Sequence, residues 1–175
     1  MTQRGTDLAR LGGCLSVTIW VMTDGRLWPR DHLSSRLEAF ADRIEGEFPE
    51  CCRVERTTVS QGLLRLVHVS PTRGGASPTG WMDMVDELQV FAGEGDCRWE
   101  LARTEADVQF IENVVESVLA GRVTEAFGPS RSKVAVTLAD GTVAEQTVTT
   151  GLRGLIPSPG WRPRGRHVRY GAYRA

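Results

Sequence analysis

The side chains of this sequence best suited to chemistry gather near its C-terminus, where Trp161, Arg162, Arg164, Arg166, Arg169 and Tyr170 interleave guanidinium groups with aromatic rings. Guanidinium groups neutralise phosphates and carboxylates, and aromatic faces stack on unpaired bases, so this run could hold single-stranded nucleic acid or an acidic protein surface. The charge distribution sharpens the choice. Six of the 21 bases and none of the 22 acids fall in residues 151–175, which leaves the first 150 residues at −7 and the last 25 at +6. The acids are densest from Asp83 to Glu100. The sequence therefore predicts that residues 161–174 dock on their own chain around Asp86–Glu100, with Trp161 and Tyr170 as apolar anchors and the arginines pairing at the surface. A net charge of −1 for the whole chain is unlike that of a basic nucleic-acid module, which places a protein partner ahead of nucleic acid.

Other reactive residues lack the spacing that chemistry requires. Cys51 and Cys52 are adjacent, Cys14 and Cys97 stand apart, no Cys-x-x-Cys occurs, and His32, His68 and His167 are isolated from one another. A structural zinc site needs such ligands in local pairs, and a vicinal disulfide is strained. There is no Gly-x-Ser-x-Gly turn to present a nucleophile. The glycines of Arg73-Gly74-Gly75-Ala76-Ser77-Pro78-Thr79-Gly80 match a phosphate loop in composition only, without Lys-Ser/Thr or Gly-x-Gly-x-x-Gly spacing, and read as a mobile linker. These residues give no reason to assign a catalytic residue, metal ligand or cofactor. Trp28, Trp81 and Trp161 each lie beside Pro or Gly in expected loops, where exposed tryptophans would form a recognition edge; the alternative is that they lid the core.

The elements that must position these residues are plainer. Thr104 caps a helix whose Val108, Ile111, Val115, Val118 and Leu119 share one face, and Gly121 stops it. A strand over Arg122–Phe127 follows, and then Lys133–Leu138 and Thr142–Thr149 form a hairpin closed by Asp140-Gly141. Upstream, Asp31 caps a second helix through Leu33, Leu37, Phe40, Ile44 and Phe48, ended by Pro49. Strands are expected at Cys14–Met22, Arg53–Ser60, Leu63–Ser70, Asp86–Ala92 and Cys97–Arg103. In each half a Trp-bearing strand precedes a helix and two strands follow it, an order that suggests an internal β-α-β-β duplication.

At 175 residues the chain suits one core. The expected fold is α+β, a single domain over residues 11–160 with a mostly antiparallel sheet and two amphipathic helices on one face, preceded by a flexible 1–10 and followed by a basic tail at 161–175. The apolar run Leu11–Met22 is too short to span a bilayer and begins, where it should end, at the lipobox-like Leu11-Gly12-Gly13-Cys14. With one lysine among 21 bases, a skew that GC-rich coding produces, the expected setting is a bacterial cytoplasm. The expected function is a non-catalytic protein-binding role, of the toxin-neutralising or assembly-adaptor type. The alternatives are a small-ligand-binding protein or enzyme with its site on the sheet, and nucleic-acid binding through the tail. A reducing compartment predicts four free thiols when the denatured protein is titrated without reductant; two or none would place it in an oxidising one.

Overall fold

The computed structural model describes residues 31–59, 64–95, 97–151 and 160–174, with the side chain of Arg162 excepted. The expected strand at Cys14–Met22 and the residue Trp28 lie outside these residues, as does the expected flexible 1–10.

The first helix, α1 (His32–Glu47), begins where Asp31 accepts a hydrogen bond from the Ser34 amide at 3.0 Å. It buries Leu33, Leu37, Phe40, Ala41 and Ile44, the face that its periodicity predicts. Five antiparallel strands follow in chain order: β1 (Cys52–Val59), β2 (Leu64–Pro71), β3 (Thr79–Met84), β4 (Glu87–Ala92) and β5 (Cys97–Ala102). The second helix, α2 (Glu105–Leu119), is capped by Thr104, which accepts from the Asp107 amide, and ends at Gly121 with φ +73°. A second sheet then forms from β6 (Val123–Gly128), β7 (Arg131–Thr137) and β8 (Val143–Thr149), and a short helix, α3 (Trp161–Arg164), leads into β9 (Arg166–Arg169). Its order is β8-β7-β6-β9, all antiparallel.

The chain is thus a single α+β domain, but its strands divide between two sheets rather than one. α2 packs on β3 and β4 of the first sheet and on β7 of the second, and buried side chains of both sheets belong to one core. Val108, Ile111, Val114, Val115 and Val118 of α2 are fully buried. Each helix is followed by a hairpin, β1–β2 after α1 and β6–β7 after α2, but the two hairpins lie in different sheets.

Two elements differ from the sequence reading. Trp81 is not in a loop: it sits in β3, is 1% exposed, and stacks on Phe40 with ring centroids 5.4 Å apart. The C-terminal segment docks on its own domain as a strand rather than as a surface tail, and it meets the Asp86–Glu100 stretch where Arg166 reaches Glu94. Four of its residues form β9, hydrogen-bonded to β6 from Thr124↔Arg169 to Phe127↔Arg166. Backbone pairing with a neighbouring strand satisfies the segment more completely than surface ion pairs would.

The outward side of α1 and α2 carries a lattice of ion pairs. Arg36 bonds Glu105 and Glu112, Arg43 bonds Glu116, and Arg56 reaches Asp42 and Glu45. Glu112 is partly buried and makes two bonds to Arg36. Ile111→Ala should therefore destabilise by about 2–5 kcal/mol through lost burial and a cavity. Glu116→Ala, which removes one exposed pair, should cost below about 1 kcal/mol. Urea unfolding of the two variants checks the difference, and equal losses would misassign the face.

Candidate functional site

Two buried polar clusters organise the chain. In the first, Glu125 of β6 is 1% exposed. Val123, Glu125 and Phe127 share one parity of the strand, so the Glu125 carboxylate points into the protein between two apolar neighbours. Its oxygens accept from the amides of Glu94 and Gly95, both at 2.9 Å, from the Tyr170 hydroxyl at 2.7 Å, and from the Ser132 hydroxyl of β7. Gly95 is needed there, because a Cβ would stand 2.3 Å from Ser132 Oγ and 2.5 Å from Glu125 Oε1. Burial and the Glu125 carboxylate hold the Tyr170 phenol far above its ordinary pKa, so it remains a donor.

In the second cluster Arg103, just after β5, bonds Asp31, Asp83, the Ser34 hydroxyl and the Met84 carbonyl. This fixes the start of α1 against the end of β3. Burial raises the pKa of Asp31, but the Ser34 amide and the Arg103 guanidinium outweigh it and hold the group below its ordinary value. In both clusters the polar groups bond one another, and in the second Asp31 remains partly exposed.

The remaining segment of the C-terminus is equally integrated. Tyr173 is 7% exposed and donates from its hydroxyl to the carbonyls of Val69 and Ser77, at 3.2 and 2.8 Å. The Gly171 amide bonds the Gly75 carbonyl and the Ser77 hydroxyl accepts from the Gly93 amide, so the glycine-rich loop is pinned rather than mobile.

Among the described residues, α1, α2 and the C-terminus meet at a cleft of about 260 Å³. Its floor is Phe40, Ile44, Phe48 and Leu119, supplied by the last turns of the two helices and the residue that follows α1. Ala120 and Ala172 also line it. Charged groups edge it: Arg43 lies 5.0 Å over the Phe40 ring and bonds Glu116 at 2.8 Å, and Arg174 lies 4.3 Å over the Phe48 ring. The Tyr173 amide bonds the Leu119 carbonyl at 2.9 Å, which holds the C-terminal wall in place.

The residues singled out from the sequence do not converge on this cleft. Trp81 and Tyr170 are buried. Trp161 is partly buried, its ring against Gly128 and under Arg131, whose guanidinium carbon is 5.7 Å from the ring centre. Arg166 covers Phe127 at 4.3 Å and reaches Glu94 at 4.0 Å, while Arg164 and Arg169 are exposed. The cleft residues carried a partial signal in the helical faces of α1 and α2, but nothing local announces that Ala172 and Arg174 return to them. His68 of β2 is the half-buried histidine: its Nδ1 is 2.9 Å from Ser70 Oγ, its ring stacks on Phe91, and burial lowers its pKa.

Among the described residues no three His, Cys, Asp or Glu side chains are grouped to hold a metal ion, and no helix is long and apolar enough to cross a membrane. No protein-family model matches the chain, and neither comparison with characterised proteins nor comparison with solved structures finds a match.

The Glu125 cluster generates a graded prediction. Tyr170→Phe removes one bond to a charged acceptor and should cost about 1.5–3 kcal/mol. Glu125→Ala strands two amides and two hydroxyls and should cost at least about 3 kcal/mol. Chemical denaturation measures both, and a neutral Glu125→Ala would remove the cluster from its structural role.

Proposed function

We propose that the chain is a protein-binding domain that receives an apolar anchor side chain of its partner in the cleft between α1, α2 and the C-terminus. The supporting observation is the cleft itself: an apolar floor edged by arginine and glutamate, the arrangement in which buried anchors and a polar rim give interfaces most of their affinity. Its volume of about 260 Å³ suits one or two side chains, whereas small-molecule sites usually span about 300–1,000 Å³. A toxin-neutralising or assembly-adaptor role in a bacterial cytoplasm is the form of this function that we favour.

Nucleic-acid binding through the C-terminal arginines is the weaker reading. Base stacking requires free aromatic faces, and here Tyr170 is buried, Arg131 lies over Trp161 and Arg166 covers Phe127. Among the described C-terminal residues, what remains for a nucleic acid is mainly charge.

Ala120 is exposed on the cleft wall, so Ala120→Trp fills the cleft without disturbing the core. With the partner recovered from expressing cells and purified, this variant should raise Kd about tenfold or more, the scale of a lost hot spot. Thr149→Trp, at the end of β8, should leave Kd within about twofold. Equal affinities for both would overturn the cleft as the contact, and steeply salt-dependent oligonucleotide binding would favour the arginine reading.

A further inference from the structure

Among the described residues the exposed large apolar side chain is Val143, at 50%. It opens β8 directly after the turn that closes the β7–β8 hairpin, and residues 139–143 are all exposed, so the turn stands clear of the protein. Its shape is fixed. The Gly141 amide bonds the Leu138 carbonyl, the Leu138 amide bonds the Thr142 carbonyl, and the Asp140 carboxylate accepts from the Thr142 amide at 2.8 Å. That amide holds the Asp140 carboxyl below its ordinary pKa, yet among the described residues no cation pairs with it. The cleft carries the complement. Arg174 lies over Phe48 and donates to the Glu47 carbonyl but has no carboxylate partner among the described residues, whereas Arg43 is paired with Glu116. One exposed apolar residue is by itself ordinary. Here an unpaired carboxylate stands three residues before it, and an unpaired guanidinium lines the cleft.

We propose that the occupant of the cleft is a second copy of this chain: Val143 of each protomer enters the apolar floor of the other, and Asp140 pairs with Arg174 across the contact. This rests on the reading that the cleft receives an apolar anchor, and it names the partner. Three residues of chain span at most about 11 Å, so the valine can sit on the floor while the carboxylate reaches the edge. The turn and the cleft are also neighbours. Ala120 lines the cleft, and Arg122, two residues on, is bonded to Thr137 both ways: its carbonyl accepts from the Thr137 amide at 2.9 Å and its Nε donates to the Thr137 carbonyl at 3.0 Å. Thr137 lies directly across from Val143. With both features at one end of the molecule, a twofold axis beside that end lets each copy place its turn in the other's cleft, the self-complementary arrangement of a closed dimer. A contact of this kind is small, so the dimer should form and dissociate readily.

Sedimentation equilibrium of the full chain up to about 1 mM tests this. The wild type should pass from monomer to dimer and stop there. Val143→Asp, which removes the anchor, and Ala120→Trp, which fills the cleft, should each stay monomeric, and Arg174→Glu should weaken dimerisation at least about twofold, the scale of an exposed ion pair. The two monomeric variants then test the contact directly, because each keeps the half that the other has lost. In an NMR titration, unlabelled Ala120→Trp added to ¹⁵N-labelled Val143→Asp should shift the amides of Phe48, Leu119 and Ala172, whereas unlabelled Val143→Asp should not. A monomeric wild type, a Val143→Asp variant that dimerises as the wild type does, or a titration without shifts would overturn the proposal. If the wild type is monomeric while Ala120→Trp still weakens the binding of another protein, the self-contact falls and the cleft stands as a recognition site; if Ala120→Trp changes neither, both fall.

Discussion

The buried carboxylate of Glu125 is the interaction on which the rest of this structure depends. A carboxylate removed from water is strongly destabilising unless its lone pairs are met, and here four donors meet them from three distant parts of the chain: the β4–β5 turn, β7 and the C-terminus. The first sheet contributes the turn amides, the second contributes Glu125 and Ser132, and Tyr170 follows β9. One group thus couples both sheets to the end of the chain. Because all four donors are neutral, the cluster fixes geometry through direction and number of bonds rather than through charge pairing. The sheets also meet directly, where Gln146 of β8 donates to the Arg98 carbonyl of β5 at 2.7 Å.

Arg103 plays the corresponding part at the other end of the helix layer. It gathers Asp31 and Asp83, and so joins a helix cap to a sheet strand where an unpaired Asp83, 2% exposed, would be untenable. The acidic stretch that the sequence presents as one surface is therefore divided by its partners. Asp83 faces inward to Arg103, the backbone of Glu94 serves Glu125, and the Glu94 side chain meets Arg166.

How legible the fold was depends on whether local chemistry or distant pairing decided each element. Both helices and the β7–β8 hairpin were legible because caps, periodicity and the Asp140-Gly141 turn agree locally; Gly141 has φ +86° and Asp140 accepts from the Thr142 amide. β3 was not. It is central in its sheet with five successive buried residues, so it lacks alternation, and it begins at Thr79-Gly80 within a run that reads as a loop. β9 was missed for the opposite reason: its arginines mark solubility, and its pairing with β6 is invisible without knowing what lies across from it. Glu125 did leave a trace. A charged residue at the buried parity of Val123, Glu125 and Phe127 breaks the alternation rule, and such a break marks a group whose partners come from elsewhere in the chain.

The same long-range closure makes the cleft. Phe40, Ile44 and Leu119 are core residues of their helices, at 3%, 2% and 5% exposure, and would form no more than a shallow seam between two helix ends. The C-terminus turns that seam into a concave surface, because Tyr170 and Tyr173 are anchored on either side of Ala172, one to Glu125 and the other to Val69 and Ser77. A wall held by two buried tyrosines is pre-organised, so the binding we propose there would spend little on ordering it. The arginine-rich segment thus shapes the cleft less through its charges than through where its tyrosines hold the backbone.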